Sequence, residues 1–152
     1  MMPAGSAILI AEDNEDDRFL LTEALRVAGV GHPVRFVEDG RQAVAYLSGT
    51  DDFADRTRFP PPGLVVLDYK MPLMNGIEVL TWIRASALKR LPVIILSASS
   101  LPGDVERAYD LGVNSYLMKP ASIEGLAALV KALSAYWLTF NEYPRPSSPQ
   151  HC

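Results

Sequence analysis

An uninterrupted apolar run that ends in a carboxylate is the feature that most constrains this chain. Residues 64–67 read Leu-Val-Val-Leu and are followed directly by Asp68. A run without polar alternation is typical of a strand buried on both faces of a parallel sheet. An aspartate after such a strand falls at the carboxyl edge of the sheet, where open α/β sheets bind ligands. Alternatively, Asp68 only caps the next turn or helix, and this stretch alone does not separate the two interpretations.

The rest of the chain alternates short apolar runs with segments of helical periodicity. The other predicted strands lie at residues 7–11, 34–37, 93–96 and 115–118. A predicted helix follows each of the five strands, which predicts an α/β fold with a doubly wound, five-stranded parallel sheet. The expected strand order is 2-1-3-4-5, with helices on both faces.

The domain is expected to span residues 7–140, followed by a short, proline-containing, disordered tail at residues 141–152. Residues 48–63 lack periodicity and form a long connector before the third strand. Connectors of this length are usually functional or mobile, and the sequence leaves both possibilities open. The tail is too short to form an output domain, so we expect a protein that acts alone.

Composition favours a cytoplasmic protein that binds neither nucleic acid nor membranes. The 152 residues are 49% hydrophobic and 21% charged, as in ordinary globular proteins. A net charge of −4 argues against a general affinity for nucleic acid or anionic lipid. The single cysteine, Cys152, excludes an internal disulfide and fits a reducing compartment. No apolar run approaches the roughly 20 residues that span a bilayer, and residues 1–6 lack a signal-peptide pattern.

Four of the five predicted strands end in residues that can handle charge. Glu12 and Asp13 follow the first strand, Asp68 the third, Ser97 the fourth and Lys119 the fifth. Strands 1 and 3 are neighbours in the expected order, so three carboxylates crowd together and require a cation. Mg²⁺ fits best, because it accepts few protein ligands and keeps waters and phosphate oxygens. This combination predicts a site that handles phosphoryl groups, with an aspartate as the nucleophile.

In order and spacing, these motifs resemble the receiver domains of two-component response regulators. The motifs are Glu12 with Asp13; Asp68 with Met71, Pro72, Met74 and Gly76; Ser97 with Ala98; and Lys119 with Pro120. The resemblance covers residues 8–137 and implies a flavodoxin-like receiver fold. It also implies that Asp68 is the phosphoacceptor for a sensor histidine kinase.

The resemblance further assigns a role to each of the other site residues. The implied Mg²⁺ ligands are Glu12, Asp13, Asp68 and the backbone carbonyl of Lys70. Lys119 would pair with the phosphoryl oxygens, and its bond to Pro120 would be cis. Ser97 and Tyr116 would form the switch pair, a hydroxyl and an aromatic ring that move on phosphorylation. Lys70 and Ser99 occupy positions that the family uses to tune the lifetime of the phosphoryl group.

Three other classes of function are disfavoured by particular residues. A phosphohydrolase of related topology would place a second aspartate two residues after the nucleophile, where this chain has Lys70. A flavin- or nucleotide-binding domain would need a glycine-rich loop after the first strand, where this chain has Glu12 and Asp13. A degenerate receiver used only for docking would lack part of the acid, hydroxyl and lysine set. We therefore expect a phosphoacceptor that assists its own phosphorylation and dephosphorylation, and not an enzyme with an external substrate.

More closely, the chain resembles the small stand-alone response regulators that are paired with bacterial and cyanobacterial phytochromes. The supporting features are Asn14 and Asp17, residues 32–34, residues 38–40 with Tyr46 and Leu47, the long connector, and Tyr136 with Trp137. This resemblance implies a phytochrome as the kinase partner. The alternatives are a histidine kinase of another kind or a role as an intermediate phosphorelay carrier.

The last predicted helix, at about residues 123–138, is apolar on most of its faces. One stripe comprises Ile123, Leu126, Val130, Leu133 and Trp137, and a second comprises Leu129, Ala132, Tyr136 and Phe140. Because one stripe is enough to pack on the sheet, the second is expected to bury its surface against something else. A homodimer through this helix and the fourth helix is favoured over a C-terminal segment that folds back on its own domain.

Overall fold

The computed structural model describes residues 1–144, in which five strands alternate with five α-helices. The elements are β1 (Ala7–Ala11), α1 (Glu15–Val27), β2 (Val34–Val37), α2 (Gly40–Ser48), β3 (Pro62–Leu67), α3 (Gly76–Ala85), β4 (Val93–Ser97), α4 (Pro102–Asp110), β5 (Ser115–Met118) and α5 (Ile123–Leu133). A short 3₁₀-helix, Asp51–Phe53, lies in the connector, and a π-helix, Ser134–Phe140, continues α5.

The five strands form one parallel sheet in the order β2-β1-β3-β4-β5, which confirms the predicted doubly wound fold. In the two central strands, Ala11 at the end of β1 pairs with Leu67 at the end of β3. Residues that follow these strands therefore emerge side by side at the carboxyl edge. On the other side of β3, Ser97 at the end of β4 pairs with Met118 at the end of β5.

Each face of the sheet has its own apolar core, and β3 contributes to both. Val65 and Leu67 pack on the face that α2 and α3 cover, and Leu64 and Val66 pack on the face that α1 and α5 cover. All four side chains are buried. Burial on both faces explains why this strand is apolar without alternation.

An aromatic cluster anchors the connector to the domain. The ring centroids of Tyr46 and Phe53 lie 5.2 Å apart, and those of Phe53 and Phe59 also lie 5.2 Å apart. The buried Tyr46 donates a hydrogen bond of 2.8 Å from its hydroxyl to the carbonyl oxygen of Pro60. Arg56 donates to the carbonyl oxygens of Leu47 and Phe59. Although its sequence shows no periodicity, the connector is thus a packed part of the domain.

The C-terminal helix differs from its predicted form, because α-helical geometry ends at Leu133 and a π-helix follows. Within the π-helix, Trp137 and Leu138 are buried, whereas Tyr136 and Phe140 are 57% and 77% exposed. The stretch Ile123–Phe140 is also long and apolar enough to cross a membrane by length and composition alone. A single stretch of this kind is weak evidence, and here its inner face packs against the sheet.

Residues 141–144, the beginning of the predicted tail, form neither helix nor strand. Asn141 nevertheless donates from its backbone N–H to the carbonyl oxygen of Tyr136, and Tyr143 packs against the apolar core on the face of the sheet that α1 and α5 cover. The remaining tail, with Pro146, Pro149 and Cys152, lies outside the described residues. The predicted disorder of the tail therefore stays a prediction.

Candidate functional site

The carboxyl edge of the sheet brings the three predicted acidic ligands together. Glu12 and Asp13 follow β1, and Asp68 follows β3. One carboxylate oxygen from each of the three lies within 4.8 Å of the other two. Glu12 is buried, Asp13 is exposed and Asp68 is partly buried, so the cluster opens to solvent on one side. Oxygen ligands in this arrangement suit a hard divalent cation.

Local hydrogen bonds fix the turn that carries Glu12. The backbone N–H of Asn14 donates to Oε1 of Glu12 at 3.2 Å, and Arg18 donates to the carbonyl oxygen of Glu12 at 2.8 Å. Asn14 also caps α1, since its side-chain oxygen accepts from the backbone N–H of Asp17 at 2.9 Å. The beginning of α1 and the acidic cluster are thus tied together.

Asp68 is held between the end of β3 and the beginning of α3. Its backbone N–H donates to the carbonyl oxygen of Ala11 at 3.0 Å, which extends the pairing of β1 with β3. Gly76 approaches so closely that a Cβ on it would lie 2.4 Å from the carbonyl oxygen of Asp68. A capping box formed by Asn75 and Glu78 begins α3 just after this contact. The backbone of the proposed nucleophile is therefore fixed on both sides.

Lys119 reaches into the site from the end of β5 and makes three contacts with carboxylates. Its Nζ lies 3.0 Å from Glu12 Oε2, 3.0 Å from Asp17 Oδ2 and 3.6 Å from Asp68 Oδ2. No role at this site was predicted for Asp17. The available signal was its place in the first turn of α1, shortly after the acids that follow β1.

Burial and neighbouring charges shift the pKa values of Glu12 and Lys119. Burial raises the pKa of Glu12 to about 7, although the hydrogen bond from Lys119 acts in the opposite direction. For Lys119, burial alone would lower the pKa, but the hydrogen bond to Glu12 and the charges of Asp68 and Glu12 raise it overall. The lysine therefore stays charged, while Glu12 ionises more readily when a cation is close.

The two predicted switch residues meet at one loop residue, Ser99. Ser97 is buried at the end of β4, and its Oγ accepts from the backbone N–H of Ser99 at 3.2 Å. The hydroxyl of Tyr116, on β5, donates to the carbonyl oxygen of Ser99 at 2.7 Å. Burial raises the pKa of Tyr116, and hydrogen bonding with Ser97 partly offsets that effect. The hydroxyl and the ring are thus connected through the loop after β4.

One expectation at this edge was wrong, and another stays a prediction. The described residues contain no cis peptide bond, so the bond between Lys119 and Pro120 is trans. Trans is the intrinsically preferred form of such bonds, by about 0.5–1 kcal/mol. From this trans backbone the N–H of Lys119 still donates to the carbonyl oxygen of Ser97 at 2.8 Å. The side chain of Lys70 is exposed, and the metal-binding role of its carbonyl stays a prediction.

A parallel sheet that gathers acids, a hydroxyl and a lysine at one edge has the fold and the site of a phosphorylation-dependent signalling domain. A family model for the response regulator receiver domain matches residues 8–131 of the chain. The chain therefore belongs to the response regulator receiver family. Receiver domains are phosphorylated by sensor histidine kinases and bind a divalent metal at an acidic pocket, and the acidic cluster described above lies at the corresponding edge.

Two relatives illustrate how far the similarity extends along the chain. The probable methanogenesis regulatory protein FilR2 of Methanothrix harundinacea is 36% identical over 141 residues, which are 92% of this chain and 88% of that protein. The response regulator Rcp1 of Synechocystis is 34% identical over 132 residues, which are 86% of this chain and 88% of that protein. Both alignments thus extend over most of this chain and most of the relative.

Solved structures of response regulators are similar to this chain over nearly their whole length. The phosphorylated cyanobacterial phytochrome response regulator RcpA has a TM-score of 0.85 and 38% identity, over 93% of this chain and 100% of that one. The response regulator RPA3017, in red light signalling of R. palustris, has a TM-score of 0.87 and 35% identity, over 93% and 99%. The Mn²⁺-bound form of Rcp1 has a TM-score of 0.82 and 33% identity, over 92% and 99%.

Proposed function

We propose that the protein is a stand-alone response regulator that accepts a phosphoryl group on Asp68 from a sensor histidine kinase. The observation that carries this proposal is the position of the Asp68 carboxylate. It lies within 4.8 Å of the acids that follow β1 and 3.6 Å from the ammonium of Lys119. A carboxylate so placed has positive charge available for the oxygens of an incoming phosphoryl group.

The chain supplies both the nucleophile and the groups that balance its charge. An oxygen of Asp68 forms a bond to phosphorus as the N–P bond of the donor phosphohistidine breaks, and the electron pair leaves with the imidazole. Glu12, Asp13, Asp68 and the carbonyl of Lys70 would hold Mg²⁺. When bound, Mg²⁺ supplies positive charge to the carboxylates and the phosphoryl oxygens. Lys119 keeps its proton and offsets a further charge.

The response to phosphorylation is proposed to pass through the loop after β4. The Ser97 side chain would rotate to donate its hydroxyl hydrogen to the new phosphoryl group, and this rotation would move Oγ away from the backbone N–H of Ser99, from which it now accepts. Ser99 is also the partner of the Tyr116 hydroxyl, so the ring loses its fixed position at the same time. A local change in charge would thereby bias a two-state element on the surface near α4 and β5.

A phytochrome is the proposed kinase partner, in the cytoplasm. The support is the similarity to RcpA, described as a phytochrome response regulator, and to RPA3017, described as part of red light signalling. FilR2, a methanogenesis regulatory protein, is similar to about the same degree. This relative favours a histidine kinase of another kind as the second candidate.

A homodimer through the last helix is part of the same proposal. The π-helix presents Tyr136 and Phe140 to solvent, and Tyr136 lines an open groove together with Leu117 of β5 and Leu129 of α5. Exposed apolar side chains on neighbouring elements are typical of a surface that a partner covers. A second copy of the chain would bury both outer aromatic rings.

Phosphorylation tests the proposed nucleophile directly. With Mg²⁺ and acetyl phosphate, or a phosphorylated kinase, the protein should form an acid-stable, base-labile adduct on Asp68. Asp68→Asn should form none, because an amide oxygen does not yield an acyl phosphate. Asp52→Asn, in the exposed 3₁₀-helix, is the matched control and should react like wild type. Intact-protein mass spectrometry distinguishes these outcomes, and an adduct that persists in Asp68→Asn contradicts the proposal.

A further inference from the structure

The ammonium of Lys119 is held by a carboxylate outside the proposed metal ligands. Asp17, in the first turn of α1, places Oδ2 3.0 Å from Nζ of Lys119. This contact is as short as the one to Glu12 and shorter than the 3.6 Å contact to Asp68. The lysine side chain is only 10% exposed, so its position is defined by these acids and not by solvent.

The hydrogen-bonding capacity of the ammonium determines what these contacts leave available. A lysine ammonium has three N–H donors. Two of them are taken by Glu12 and Asp17, each at hydrogen-bonding distance. The third is left for the side on which Asp68 lies, too far for a hydrogen bond in this state. An oxygen of a phosphoryl group added to Asp68 can take this donor while the other two contacts stay in place.

Glu12 and Asp17 differ in whether a bound cation would compete with Lys119 for the carboxylate. Glu12 belongs to the acidic cluster, so a divalent cation there shares its carboxylate with Lys119. Asp17 is not a member of that cluster, so its carboxylate contacts Lys119 without competition from a cation bound there. It is also fixed to α1, where its backbone N–H donates to the side chain of Asn14. Of the two anchors, Asp17 alone is independent of the metal.

We propose that Asp17 is a positioning residue for phosphoryl transfer, acting through Lys119. It anchors Nζ between α1 and β5, so that the free N–H meets the oxygens of the transferring group. This inference rests on the proposed role of Asp68 as the phosphoacceptor. In the step itself the bond from the Asp68 oxygen to phosphorus forms and the donor's bond to phosphorus breaks. Lys119 keeps its proton throughout.

The test compares two neighbouring acids in the same helical turn. Asp17→Asn keeps the shape of the side chain but replaces a charge-assisted hydrogen bond by a neutral one, so phosphorylation by acetyl phosphate should slow about fivefold. Asp16→Asn removes the same charge from an exposed neighbour and should leave the rate unchanged. Asp17→Glu restores a carboxylate at this position and should recover most of the lost rate. Mn²⁺ affinity, measured by electron paramagnetic resonance, should be equal in all four proteins.

A spectroscopic readout separates positioning from a general loss of structure. The side-chain ¹⁵N signal of Lys119 should shift or broaden in Asp17→Asn but not in Asp16→Asn. A rate for Asp17→Asn equal to or above wild type overturns the inference, and so does a loss of Mn²⁺ affinity that matches the loss of rate. If wild type itself forms no adduct, it is the proposed function that fails; an adduct with equal rates in both variants refutes only the role of Asp17.

Discussion

Glu12 is the residue whose ionisation should control metal binding, because burial raises its pKa to about 7. A divalent cation binds the ionised carboxylate and therefore competes with a proton. We expect Mg²⁺ affinity to rise with pH up to about 7, by at most about tenfold per pH unit, and to level off above it. Calorimetric titration with Mg²⁺ at a series of pH values measures this dependence.

Two substitutions test whether the dependence belongs to Glu12. Glu12→Gln should bind Mg²⁺ more weakly and lose the pH dependence near 7, since an amide is neutral and does not ionise in this pH range. Glu15→Gln, an exposed acid at the beginning of α1, should keep the wild-type profile. A wild-type affinity that is flat across this pH range would contradict the raised pKa.

Individual site residues were predictable from the sequence where the sheet edge alone brings them together. Glu12, Asp13 and Asp68 follow adjacent parallel strands, so their proximity follows from strand order. The role of Asp17 was not predictable in this way, because it depends on how far Lys119, 102 residues away, extends across the site. The isomer of the bond before Pro120 was predicted wrongly, since the residue types at a proline do not determine its geometry.

At the scale of elements, the connector after α2 offers a test of its anchoring. Phe53 packs against Tyr46 and Phe59, so Phe53→Ala should lower the free energy of unfolding by about 2 kcal/mol, for a partly buried ring. Asp52→Ala, at an exposed neighbour in the same 3₁₀-helix, should change it by less than about 0.5 kcal/mol. Urea unfolding followed by circular dichroism measures both values, and equal stabilities would show that the aromatic cluster does not hold the connector.

Strands and α-helices were predictable because apolar runs and helical periodicity follow directly from burial. Two features depend instead on tertiary packing. Pro62 lies in the first position of β3, where a proline is tolerated although its neighbours predict a turn. The change from α- to π-helix after Leu133 buries both Trp137 and Leu138. Because this helix is apolar almost throughout, its sequence does not show where the hydrogen-bonding pattern changes.

At the scale of the whole molecule, the oligomeric state tests the proposed interface. If a second copy covers the outer face of α5, Tyr136→Glu should convert a dimer to a monomer, because it places a charge where apolar rings would pack. Phe19→Glu is the matched control, since Phe19 is 64% exposed but lies near the beginning of α1 at the carboxyl edge. Size-exclusion chromatography with light scattering at micromolar concentration reports the mass, and a monomeric wild type would contradict the proposal.

The architecture of the whole molecule was more predictable than its partners. Alternating strands and helices restrict a chain of this length to few topologies, and the acids after β1 and β3 match the one that occurs. The surface that selects a kinase is different, because exposed side chains such as Phe19 and Leu73 contribute little to folding. Apart from the second apolar stripe of the last helix, which predicts a homodimer, the expected kinase partner therefore came from the family resemblance and not from folding patterns.

The close approach of Gly76 to Asp68 has a consequence for how the chain can vary. Gly76 carries no reactive group, yet a Cβ there would lie 2.4 Å from the carbonyl oxygen of Asp68 and 3.2 Å from the Cα of Tyr69. Any side chain would have to displace the backbone of the proposed phosphoacceptor. Substitution of Gly76 is therefore limited by the space that the backbone of Asp68 needs. Gly76 matters to the site only through its small size.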